Sequence, residues 1–191
     1  MGLMHFGENN TWININSDLI SEYSAIYDTY DIDDEMIEYA LDKNERAHME
    51  YNRRTKTLVV IYNVLNLSRE ENHYDTIPLT FVVRQNQIVT ISNSLNEYII
   101  DQIREELEEN MHWSVFNFLL HSLFAISENY FPVIEKLNKE QQKISQLLRK
   151  KTTKDNLFRL SDLEIEGMYL VSATKQNAVV LEQLKTQQAF K

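Results

Sequence analysis

Residues 130–191 contain one proline, Pro132, and one glycine, Gly167, and this scarcity of breakers constrains the fold more than any motif does. Leu157, Leu160, Leu163, Leu170, Ala178, Leu181 and Leu184 recur at the spacing of one helix face. Residues 187–191 hold no Gly, Asn or Pro to end a helix. Since the last carbonyls of a helix need partners, the expectation is a helix cut in mid-element, with part of the function beyond Lys191. Its predicted extent, residues 155–191, is about 55 Å at 1.5 Å per residue.

The rest of the chain is mixed. Residues 11–16, Thr-Trp-Ile-Asn-Ile-Asn, alternate apolar and polar side chains and predict a strand. Ser17 is positioned to cap a helix over residues 18–27, and Asp31, Asp33 and Asp34 a second one through Leu41. In that second helix Met36, Ile37, Ala40 and Leu41 share one face, while Glu38 and Asp42 lie four apart on the other side. Strands are expected at 48–51 and 57–64, the second nearly unbroken in apolar residues and so buried on both faces. A polar loop at 68–75 precedes a hairpin of strands 76–84 and 88–92 around Gln85-Asn86-Gln87. Helices follow at 97–110 and 113–149. A basic polar break at 150–154 lets the last two helices fold back as an antiparallel pair. Strands mixed with helices, then helices alone, predict an α/β or α+β domain with a helical arm.

Composition limits the function. A hydrophobic fraction of 43% supports a core, and a net charge of −10 repels phosphate backbones, so cations rather than nucleic acid are the natural counter-species. Without cysteine there is no thiol nucleophile or thiolate metal site. Residues 1–7 lack the basic and apolar regions of a signal peptide. The apolar run 115–126 is interrupted by Asn117, His121 and Ser122 and falls short of the roughly 20 residues that span a bilayer. A soluble chain is expected. With three glycines and no nucleophile elbow, an enzyme is not.

Two acidic tracts and one basic tract stand out. Residues 28–45 carry eight carboxylates and one lysine. Hard cations take oxygen ligands, yet residues 31–35 lack the Gly and distal Glu of an EF-hand loop. By themselves they fit an N-cap followed by a solvated face. Glu105, Glu106, Glu108 and Glu109 read the same way. The histidines, His5, His48, His73, His112 and His121, have no metal spacing. Residues 136–159 carry eight Lys or Arg against two acids, a pattern open to anionic lipid or nucleic acid and, more plainly, to an acidic surface of the same chain or a neighbour.

In order and spacing, Trp12-Ile13-Asn14-Ile15, Glu38-Tyr39-Ala40-Leu41-Asp42, Glu45-Arg46 leading to Glu50, the run 58–64, the hairpin 78–91 and the two closing helices resemble the cytosolic part of the CorA family of divalent-cation transporters. The resemblance implies a three-layer αβα sandwich with a mixed sheet, followed by a long helical stalk or antiparallel helix arm. The implied division is a sensing domain at 1–125 and an arm with a truncated stalk at 126–191. It also implies a homopentamer at the cytoplasmic face of the cell membrane, reaching the membrane only through residues outside this chain. The family's Gly-Met-Asn signature is missing, since Gly167-Met168 is followed by Tyr169. In the family a Glu-Asp pair on the helix matching residues 34–41 contributes to magnesium sensing. Here the pair reads Glu38-Tyr39, and Asp42, one turn on, is the substitute ligand that helical spacing offers. The expected function is therefore Mg2+ sensing and gating, with Glu38 and Asp42 as metal ligands. A zinc or other divalent-cation transporter of the superfamily, or a soluble helical oligomerisation protein, is the alternative.

Overall fold

The computed structural model describes residues 2–70 and 73–186. Six strands are present: β1 (Gly2–Phe6), β2 (Asn10–Asn16), β3 (His48–Asn52), β4 (Thr57–Glu70), β5 (His73–Arg84) and β6 (Gln87–Ser92). They form one sheet in the order β1-β2-β6-β5-β4-β3. β2 and β6 pair in parallel, and the other neighbours are antiparallel. The helices are α1 (Ala25–Thr29), α2 (Asp34–Leu41), α3 (Glu97–Glu109), α4 (Val115–Glu128), α5 (Tyr130–Lys150) and α6 (Lys154–Thr186).

Strand alternation divides the core between two faces. Ile13, Ile15, Val82, Val89 and Ile91 pack under α1 and α2, against Tyr27, Met36, Ile37 and Ala40. Trp12, Leu58, Val60, Tyr62, Leu79, Phe81 and Ile88 pack under α3 to α6. The expected three-layer αβα sandwich with a mixed sheet is thus present. Asn14 and Asn16, read as the polar side of β2, are buried. Trp12 Nε1 donates to Thr90 Oγ1 at 3.0 Å, and Thr90 and Ser92 hydroxyls donate to Asn14 Oδ1 at 2.7 and 3.1 Å. This chain across the parallel pair satisfies polar groups that burial would otherwise penalise.

The structure corrects several expected boundaries. β1, absent from the sequence reading, pairs with β2 and buries Phe6 against Phe118, ring centroids 5.4 Å apart. No helix spans 18–27. Asn16 Oδ1 takes the Asp18 N–H at 3.0 Å, Ser17 Oγ donates to the Ser92 carbonyl, and Asp18 accepts the Ser94 N–H at 2.8 Å. The capping side chains are thereby committed to the end of β6, and α1 starts later, behind Ser24. The polar stretch 68–75 is largely strand, since cross-strand pairing carries β4 to Glu70 and β5 back from His73. Residues 71–72 lie outside the described residues. The helix expected over 113–149 is two helices meeting at Asn129. Pro132 has no N–H for the carbonyl four residues earlier, which ends the ladder there. Residues 187–191, where the helix was expected to run on, also lie outside the described residues.

α6 folds back along α5 and across β3, β4 and β5. Its buried stripe is Glu166, Leu170, Ala173, Asn177, Val180 and Leu184, which replaces part of the expected leucine face. Leu157 is 50% exposed. Two members of the stripe are polar because they close open strand edges. β3 pairs with β4 only as far as Ile61. At Asn63, beyond that end, Asn177 Oδ1 accepts the backbone N–H and Asn177 Nδ2 donates to the carbonyl, both at 2.9 Å. The side-chain amide thus does what another strand would do. Tyr130 Oη donates to the same carbonyl at 2.9 Å, and burial pushes its pKa far up. Glu166 Oε1 accepts the Tyr74 N–H at 2.8 Å on β5. Pro78, opposite Asn63, has no N–H to leave unpaired, and its carbonyl accepts from Asn96 Nδ2 at 3.1 Å.

Candidate functional site

α2 carries the centre of the acidic tract, and its position is set from both ends. Asp33 caps it, Oδ1 accepting the Met36 N–H at 3.0 Å. Asp34 and Glu35 fill its first turn, where the helix dipole favours negative charge. The preceding turn is held by Arg84 on β5, which donates to the Tyr30 carbonyl at 2.9 Å and the Asp31 carbonyl at 2.7 Å. Burial lowers the Arg84 pKa, while Asp31 and Asp33 oppose that shift. Asp31 sits at φ 51°, a left-handed conformation that Asp adopts more readily than bulkier residues. Met36, Ile37 and Ala40 then face the sheet.

Glu38 is exposed on the outer side of α2, and Asp42 is exposed at its C-cap. The Asp42 N–H donates to the Glu38 carbonyl at 3.0 Å, and Asp42 Oδ1 accepts the Asn44 N–H at 2.9 Å. Magnesium requires near-octahedral oxygen coordination. Among the described residues no group of three or more His, Asp or Glu is arranged to hold a metal ion. One chain therefore supplies two exposed carboxylates here and not a cage.

Tyr39, the residue after Glu38, bonds away from it. Its hydroxyl lies 3.0 Å from Glu35 Oε1 and 3.3 Å from Glu50 Oε1, a donor shared between α2 and β3. The hydrogen bond to Glu35, reinforced by the nearby Glu50 charge, pushes the phenol up to about 12. The ring meets His48 edge-on at 4.9 Å. His48 in turn lies 3.6 Å from Glu45 and 3.8 Å from Glu50. Glu35, Glu45 and Glu50 are thus drawn toward Tyr39 and His48, and Glu38 and Asp42 remain outside that cluster. Nothing in the residue spacing pointed to this cluster, because β3 brings Glu50 to α2 through tertiary structure.

In the second acidic block, Glu105, Glu108 and Glu109 are exposed on α3. Glu106 is half-buried, and burial raises its pKa against the opposing influence of His121. His121 stacks on Trp113, centroids 4.1 Å apart. No described helix is long and apolar enough to cross a membrane.

The connection from this face to the terminal helix is short. Gln176 Oε1 on α6 accepts the Ala47 N–H at 3.2 Å and a proton from Asn63 Nδ2 at 3.1 Å. Ala47 is five residues beyond Asp42.

The architecture is a mixed six-stranded sheet between two helical layers, with an acidic helix on one face and the α5–α6 arm on the other. The family description "CorA-like Mg2+ transporter protein" matches residues 7–190, and the chain belongs to the CorA family. No curated protein matches it. The complete CorA magnesium transporter of Methanocaldococcus jannaschii is similar at TM-score 0.79 and 17% identity, over 98% of this chain and 59% of that one. The soluble domain of CorA from the same organism is similar at TM-score 0.75 and 20% identity, over 94% of this chain and 71% of that one. The ZntB cytoplasmic domain of Vibrio parahaemolyticus is similar at TM-score 0.50 and 13% identity, over 96% of this chain and 90% of that one. At these identities the likeness concerns the fold. The chain spans 59% of the length of the complete transporter.

Proposed function

We propose that this chain is the cytosolic regulatory domain of a CorA-like magnesium transporter, with residues 1–125 as the sensing body and 126–191 as the arm. The observation that carries the regulatory reading is the hydrogen bond from Ala47, just past the acidic helix, to Gln176 on α6. It links the face that would meet cations to the helix that would move. Glu38 and Asp42 form half of a cation site, and an adjacent subunit supplies the other half. Homopentameric assembly, the arrangement the family resemblance implies, would supply such a neighbour. Cation binding offsets repulsion between acidic faces and favours a closed arrangement. Gating requires that the open and closed arrangements bind the ion with different affinity.

The test is thermal unfolding of the chain against magnesium concentration. A bound ion at about ten times its Kd stabilises by roughly 1.4 kcal/mol, a rise of about 3–6 °C for a domain of this size. Glu38→Ala/Asp42→Ala removes that rise, and Tyr39→Asp, which restores the family's acid pair, enlarges it. An equal shift in wild type and Glu38→Ala/Asp42→Ala takes the role away from these residues. A larger response to zinc than to magnesium supports the alternative cargo, for which the ZntB-like fold is the supporting observation.

A further inference from the structure

The acidic character of the chain reverses at the far end of the α5–α6 arm. Arg149, Lys150, Lys151, Lys154 and Arg159 stand there against one acid, Asp155, in a chain of net charge −10. All five bases are exposed. The ion pairs among the described residues involve none of them. Among the described residues these five bases therefore form no ion pair with the chain's own acids, one of the two contacts expected of the tract. Three apolar side chains share the tip: Leu147 is 38% exposed, Leu157 50% and Phe158 59%. Lys154 Nζ lies 5.5 Å from the centre of the Phe158 ring. The sheet does not cover this end, since the buried positions of α6 begin only at Glu166.

We propose that this tip docks on an anionic phospholipid surface. Unpaired Lys and Arg beside exposed Leu and Phe are the combination that binds such surfaces, the charges attracted to headgroups and the apolar side chains entering the interface. An acidic protein would satisfy the charges but leave Leu157 and Phe158 without an apolar partner. The inference goes beyond the transporter reading, which only supplies a membrane within reach.

The test is co-flotation of the 191-residue chain with phosphatidylcholine vesicles, with and without phosphatidylserine. The chain binds the phosphatidylserine vesicles only, and high salt releases most but not all of it, although its net charge alone would repel it. Lys150→Glu/Lys151→Glu/Lys154→Glu weakens binding at least tenfold with little change in melting temperature, because these exposed side chains make no ion pair among the described residues and lose only the Lys154 contact with Phe158. Leu157→Ser/Phe158→Ser weakens binding and makes the remainder wholly salt-sensitive. A control with equal charge change, Arg53→Glu/Arg54→Glu/Lys56→Glu on the exposed β3–β4 turn, keeps most of the binding. Three results overturn the proposal: no binding to phosphatidylserine vesicles, equal loss in the tip and control variants, or a tip variant that alters self-association while wild type ignores vesicles. None of them bears on the transporter reading, which magnesium titration and ion flux test separately.

Discussion

Tyr39 shows how one side chain directs a surface. An acid at this position would add a carboxylate beside Glu38. The phenol instead ties α2 to β3 through Glu35 and Glu50. Its hydrogen bonds favour the protonated form, so the folded pKa is raised, to about 12. A raised folded pKa means the contribution is complete below the ordinary tyrosine value of about 10. It is lost as pH rises through about 12. Wild-type stability should therefore fall between about pH 10 and pH 12 more steeply than that of Tyr39→Phe. Urea midpoints measured across that range check it, and parallel curves would mean the phenol has no such role. Tyr62, Tyr98 and Tyr130 also have raised values, all through burial, so the difference between the two proteins carries the information.

At the scale of elements, α6 is held by polar groups as well as by its apolar stripe. Asn177 supplies both hydrogen bonds to the Asn63 backbone. Asn177→Leu retains much of the volume but leaves the buried Asn63 N–H without its partner. The expected loss is about 1–3 kcal/mol, read as a lower urea midpoint and faster amide exchange in residues 166–184. An unchanged midpoint would show that the clasp is dispensable. This clasp also marks where sequence reading stops. Apolar periodicity made α2 and the buried run of β4 legible, and the acids at 31, 33 and 34 marked where α2 begins, with Asp33 the one that caps it. The same period placed the α6 face on leucines, because Glu166 and Asn177 look like solvent residues until the open edges at Tyr74 and Asn63 are seen. α1 was misplaced for a related reason: Ser17 and Asp18 bond to Ser92 and Ser94, some 75 residues away in sequence. Glu38 and Asp42 were legible as exposed acids on one helix. The Tyr39 cluster beside them was not, since it depends on Glu50 arriving from β3.

For the whole molecule, the acidic helix and the terminal helix lie on opposite faces of one sheet. β4 and β5 contact both α2 and α6, and Gln176 bonds the segment that joins α2 to β3. A charge-driven shift of α2 therefore has a physical route to α6, provided the two helices have two joint arrangements. In the proposed function, ion movement is what such a shift would serve. The most direct measurement is magnesium flux into liposomes reconstituted with the full gene product. Flux above that of empty liposomes is predicted, suppressed by magnesium on the side of this domain and less suppressed in Glu38→Ala/Asp42→Ala. Flux indistinguishable from empty liposomes, for magnesium and zinc alike, would contradict the account.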